Sequence, residues 1–205
     1  MKTPESKLAV SDYPLHDILR HRWSPRAFDN QFIDPARLRS LFEAARWSPS
    51  ASNLQPWYFI VGLKGDETYA HILETLDSFN QLWAPTSPVL VLNLAQHSND
   101  AGITNPTALY DLGQAVAHLT FQAMAEGIYV HQMSGFHPEK ATGIFRIPSG
   151  FTPVSVMALG YPGKAHLLHE RLRPGEISVR TRRKAKESVF SGTFGQPSSI
   201  FKPIS

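Results

Sequence analysis

The sequence predicts one domain of mixed helix and strand, with its sheet covered by helices. Four apolar runs at 57–61, 88–95, 128–132 and 153–159 have the length of strands. The run at 88–95 is near-continuously hydrophobic, as in strands buried on both faces. Between the runs lie segments whose apolar residues recur at helical spacing. At 205 residues the chain can bury about 70% of its unfolded surface. No repeat or linker divides it, so residues 1–205 are read as one domain.

Residues 1–11 read as a loose lead-in, and Leu15, Ile18 and Leu19 as a short helix ending near His21. Asp34-Pro35 is a cap followed by proline at the first helical position. Leu38, Leu41, Phe42 and Ala45 then form one stripe that Ser48-Pro49 ends. Asp66 caps a helix carrying Tyr69, Ile72, Leu73 and Leu76, which gives way to loop at Asn80–Trp83. Asn105-Pro106 repeats the cap-plus-proline signature for a helix reaching Gly127 as its C′ residue. That helix is apolar nearly all round, which predicts burial in a core or a subunit interface. His137-Pro138 opens another short helix.

Composition narrows the function. No run approaches the roughly 18 apolar residues of a membrane span, and residues 1–10 lack an apolar export core. There is no cysteine, so disulfide, thiolate and iron–sulfur chemistry are excluded, and a cytoplasmic location is expected. The net charge is +3, but Arg171, Arg173, Arg180, Arg182, Arg183, Lys184 and Lys186 concentrate charge in a basic extension over 164–205. Such a run suits nucleic acid, a membrane surface or one anionic cofactor. It lacks the interleaved aromatics that stack bases. Nine histidines, among them His131, His137, His166 and His169, invite a metal, but no carboxylate or thiolate cluster joins them, so none is expected. No Gly-x-Gly-x-x-Gly follows a strand and no Gly-x-Ser-x-Gly occurs.

Two segments carry the chemistry. In Arg22-Trp23-Ser24-Pro25-Arg26-Ala27-Phe28, two arginines flank a serine at alternate positions, so an extended chain would present all three on one face. Two guanidiniums and a hydroxyl suit a phosphate; a solvated basic turn is the plainer alternative. Pro49-Ser50-Ala51-Ser52-Asn53-Leu54-Gln55-Pro56-Trp57 is a small-polar loop stiffened by proline at both ends, or simply an ordinary helix-to-strand connection.

Together these segments resemble the FMN-dependent nitroreductase family. Arg22, Ser24, Arg26 and Phe28 match its N-terminal motif, and Pro49, Ser50, Ala51, Asn53, Gln55, Pro56 and Trp57 match its second. Gly135-Phe136, the Ala158–Pro162 segment and Phe194-Gly195 are also typical of it. The resemblance implies an α+β fold with a central mixed, mainly antiparallel sheet flanked by helices. It further implies an interlocked homodimer with FMN at the interface; no nucleic-acid or membrane partner is expected. NADH or NADPH would be a transient co-substrate, passing hydride through the flavin to a nitroaromatic, a quinone or a similar acceptor by ping-pong exchange. Other flavin chemistry, such as dehalogenation or azoline oxidation, stays open.

The resemblance assigns no catalytic side chain, the reaction taking place at the flavin N5. Arg22, Arg180 and Arg182 would compensate the phosphate, with Ser24 adding a hydroxyl; Arg183 leaves that register open by one. Trp23 belongs to the same motif. Arg26 would face the pyrimidine edge of the flavin, and Ser50, Ala51, Ser52, Asn53 and Gln55 would reach it from the other subunit. Asn80 would lie near the ring, and Met133, Ser134 and Gly135 would cross its opposite face. Structural alternatives stand beside three of these: an ion-pair partner for Arg26, a helix C-cap for Asn80 and plain core for Met133. Trp83 stands where some relatives carry a lysine directed at the ring, and Ala51 where a serine is frequent. Rival readings are a flavin-binding protein with little turnover and a nucleic-acid module built on 171–186.

Overall fold

The computed structural model describes residues 3–99 and 101–201; residues 1–2 and 202–205 of the two end segments lie outside it. Strands β1 (Trp57–Leu63), β2 (Val89–Gln96), β3 (Tyr129–Met133) and β4 (Phe151–Gly160) form a sheet in the order β1-β2-β4-β3. All three pairings are antiparallel. Strand alternation sorts the side chains into two cores. Leu90, Leu92, Tyr129, Met133, Val156 and Ala158 face one layer, and Val89, Val91, Val130, Met157 and Leu159 face the other. A sheet covered on both sides has no polar face, which is why β2 is near-continuously apolar.

Helices α1 (Asp17–His21) and α2 (Pro35–Arg46) precede the sheet. The Asp34 carboxylate accepts from the Ala36 N–H at 2.7 Å, and Pro35 begins α2 as expected. Leu38, Leu41 and Ala45 pack with Leu112, Ala115, Val116, Leu119 and Ala123 of α5 (Ala108–Ala125) to build the second core. Leu41 is fully buried, so truncating it to alanine removes about 2–5 kcal/mol of stability. Gly127 follows α5 with φ +75°, the left-handed C′ conformation. On the opposite face lie α3 (Glu67–Thr75), the short α4 (Ser78–Gln81) and α6 (Pro138–Phe145). A last short helix, α7 (Arg173–Ile177), precedes an exposed tail. No helix among the described residues is long and apolar enough to cross a membrane.

Several expectations change. Asn105 does not cap α5: its Oδ1 accepts from the N–H and hydroxyl of Thr107, forming an Asx turn that delays the helix to Ala108. Only one face of α5 is buried within the chain, while Leu109 (60% exposed) and Tyr110 (71% exposed) face outward. Asn80 is not in a loop but inside α4, because Asp77 Oδ1 accepts its N–H and restarts a helix after α3. The lead-in is fastened over residues 3–9. Thr3 Oγ1 donates to His21 O, the Ala9 N–H donates to Arg20 O, and Lys7 is buried.

Candidate functional site

A cavity of about 490 Å³ opens between α1, α5, the edge strand β3 and the C-terminal segment. Arg22, Ser24, Arg180 and Arg182 line it together with apolar Leu15, Leu19, Phe121 and Val130, so residues more than 150 positions apart converge there. Arg22 and Ser24 share a face as the alternation predicted, and Arg22 Nη1 donates to Ser24 Oγ at 3.2 Å. Arg182 is on the wall, whereas Arg183 is not among the lining residues.

The charges here are uncompensated. Among the described residues no carboxylate lies within 4 Å of Arg22, Arg180 or Arg182. Burial, and then the neighbouring Arg182, hold the Arg22 guanidinium below its ordinary pKa. Burial, then Arg22 and Arg182, do the same to Arg180. Arg180 is oriented by backbone carbonyls: Nη1 donates to Arg22 O at 2.5 Å and Nη2 to Arg20 O at 3.1 Å. Its buried Nε has no partner. Clustered, desolvated guanidiniums of this kind suit a multiply charged oxyanion, which relieves their repulsion and supplies acceptors.

Arg26 does not join this cluster. A bend at that residue breaks the alternation, and its guanidinium carbon sits 5.6 Å from the Phe79 ring centroid, with Nε buried and unpartnered. The bend is held from afar. The buried Glu176 carboxylate of α7 accepts the Arg26 N–H at 3.0 Å and the Ala27 N–H at 2.9 Å. Lys7 Nζ donates to Gly175 O at 3.0 Å and to Ser178 O at 2.5 Å. Burial pushes the Lys7 ammonium below its ordinary pKa against the pull of Glu176. The side chain of Trp23 enters the core rather than the cavity, edge-on to Tyr129 at 6.4 Å between ring centroids.

Ser50, Ala51, Ser52, Asn53 and Gln55 are not on this cavity. They form a tight, largely exposed turn with Ser52, Asn53 and Gln55 at φ +50°, +56° and +49°. Three non-glycine residues in the left-handed region store strain, a recurrent feature of functional loops. The turn is anchored to α5. The buried Asp111 carboxylate accepts the Ala51 N–H at 3.2 Å and the Thr107 hydroxyl at 3.0 Å, and Ser50 Oγ accepts the Gln55 N–H.

Beyond Gln132, which lines the cavity, β3 ends at Met133 and the chain runs on through Ser134 and Gly135. Met133 is buried core, Ser134 is exposed, and a Cβ on Gly135 would meet Asp77 Oδ2 at 2.1 Å. Asn80 is not a C-cap: Nδ2 donates to Gly135 O at 2.9 Å while Oδ1 accepts Trp83 Nε1 at 3.1 Å. Trp83 is fully buried, stacked with Phe28, and lines no cleft. Its ring centroid is also 4.4 Å from that of His131, whose Nδ1 is 2.9 Å from Pro25 O and must therefore donate. Burial, with Arg26 and Arg22 nearby, pulls His131 down to about 4, so the ring is neutral at pH 7. No group of three or more His, Asp or Glu suited to a metal occurs among the described residues.

Lys7, Glu176, Thr120, Phe121 and Gln132 were missed from the sequence. Phe121 and Gln132 carry a weak signal, since helical and strand periodicity put them on faces whose neighbours are predictable. Lys7 and Glu176 carry none, because contacts across 149 to 171 positions leave no local pattern.

Comparison with known proteins supplies the remaining findings. The model of the Nitroreductase family matches residues 19–84. An uncharacterized 15.4 kDa protein of Mycolicibacterium smegmatis is 31% identical over 147 residues, covering 68% of this chain and 98% of that protein. A provisionally named NAD(P)H nitroreductase of Bacillus subtilis (strain 168), YodC, is 25% identical over 196 residues, covering 80% of this chain and 96% of its own. The crystal structure of an oxidoreductase containing FMN superimposes with a TM-score of 0.87 at 30% identity, covering 96% of this chain and all of that one.

Proposed function

The chain belongs to the nitroreductase family, and from that membership we propose that it is an FMN-dependent oxidoreductase. In this reading NADH or NADPH would be the hydride donor and a nitroaromatic, quinone or similar compound the acceptor, in ping-pong exchange. The observation that carries the proposal is the pocket in which Arg22, Arg180 and Arg182 converge with no carboxylate among the described residues to neutralise them. A dianionic phosphate fits that donor set, including the orphaned Arg180 Nε.

Bound FMN would supply the hydride chemistry, which is the cofactor's own. The protein's part is binding and electrostatics. Arg22, Ser24, Arg180 and Arg182 would hold the phosphate. Arg26, whose Nε is unpartnered, would supply positive charge to the flavin, and Gly135 would bring backbone close to it. Ser50, Ala51, Ser52, Asn53 and Gln55 line no part of their own chain's cavity, and we assign them to the cavity of a second subunit. The exposed Trp47, Leu54, Leu109 and Tyr110 support such a homodimer, since a large apolar surface favours association. The protein acts as one domain in the cytoplasm, with the 164–205 segment as its basic extension.

The test is a visible absorption spectrum of the purified protein incubated with FMN, repeated anaerobically after adding NADH or NADPH. A bound flavin spectrum that bleaches supports both cofactor and hydride donor. A protein that stays colourless with FMN overturns the reading.

A further inference from the structure

A continuous chain of contacts joins the two segments that border the site. Pro25 O accepts from His131, whose ring lies 4.4 Å from Trp83 at 42° between planes. Trp83 Nε1 donates to Asn80 Oδ1, and Asn80 Nδ2 donates to Gly135 O. The same carbonyl accepts the Asp77 N–H at 3.1 Å. Its peptide is therefore held with the oxygen turned inward by two donors. Neither the Ser134 nor the Gly135 N–H donates to another group among the described residues, so the turn presents two unused donors. Both hydrogen-bonding ends of the Asn80 amide are engaged, and the residue is buried, so its effect on a ligand runs through Gly135.

We propose that Trp83 is a positioning residue. By locking the Asn80 amide, it sets the Gly135 turn relative to the Ser24–Arg26 segment, and so sets how differently the protein binds the two redox states of FMN. The proposal rests on the flavin reading above. The physical reason is that a preorganised donor stabilises developing negative charge better than one that must reorient. An amide held at both ends has one orientation, whereas an amide freed on its oxygen side can rotate and let the turn relax.

Trp83→Phe removes the indole N–H while keeping a ring in contact with Phe28 and His131. Asn80→Ala removes the clamp itself. The experiment measures thermal unfolding, the dissociation constant of FMN by quenching of its fluorescence, and the midpoint potential of bound FMN against a reference dye. In Trp83→Phe the ratio of affinities for the reduced and oxidised states should fall at least tenfold, which for a two-electron couple is a potential about 30 mV more negative. Asn80→Ala should do the same, and the double variant should be no worse than the worse single variant, because both act through one bond. If Trp83→Phe does not fold, Asn80→Ala carries the same test alone. Variants that melt earlier but bind FMN at an unchanged potential would overturn the positioning role. Failure of the unaltered protein to bind FMN would instead overturn the flavin reading.

Discussion

Arg22→Ala should weaken FMN affinity without lowering flavin-free stability. The Arg22 guanidinium is held below its ordinary pKa by burial and by Arg182. Its side chain donates one 3.2 Å hydrogen bond to Ser24 and meets no carboxylate among the described residues. Deleting it forfeits that bond, about 1 kcal/mol, and some packing of its stem. The same deletion relieves a partly desolvated cation that has no opposite charge beside it, which is costly to keep in the folded state. The flavin-free variant should therefore be as stable as the unaltered protein or more so, with Arg22→Met, which keeps the stem, the more stable of the two. FMN binding should weaken about ten- to a hundredfold, the ~1.5–3 kcal/mol of a charged hydrogen bond. Urea unfolding without FMN and fluorescence titration with FMN measure the two effects separately. Unchanged FMN affinity would refute the phosphate assignment, and a loss of flavin-free stability by several kcal/mol would refute the account of an unpaired, strained charge.

Two further outcomes follow from buried polar groups. Glu176→Ala strands the Arg26 and Ala27 N–H groups and should cost about 2–4 kcal/mol in urea unfolding; a change below about 0.5 kcal/mol would show that α7 does not secure the bend. His131 is held down to about 4, so the unfolded chain takes up its proton first as pH falls. Stability is then complete above about pH 6.5 and is lost between there and about pH 4, by about 3 kcal/mol in all. His131→Phe should flatten that part of the stability–pH curve, and an unchanged slope would contradict the buried neutral ring.

The sequence by itself determined what depends on local order. Helical and strand periods are geometric, so the α2 stripe, the α5 helix and the four apolar runs were legible and appear in the structure. Asp34-Pro35 and Gly127 were legible too, because caps act within a few residues. The FMN-dependent nitroreductase motifs at 22–28 and 49–57 identified the fold and the candidate site residues. Tertiary structure alone decided where those residues go. It brought Arg180 and Arg182 to Arg22 and excluded Arg183 from the lining, a choice of one position that a run of basic residues cannot encode. It turned Arg26 away from Arg22 at a bend fixed by Glu176, 150 positions distant, and it moved the start of α5 through the Asx turn at Asn105. It buried Trp83 and used Asn80 to hold the Gly135 turn. Hydrogen-bonding capacity is written in each side chain, but its partner is chosen by which distant backbone the two cores bring within about 3 Å.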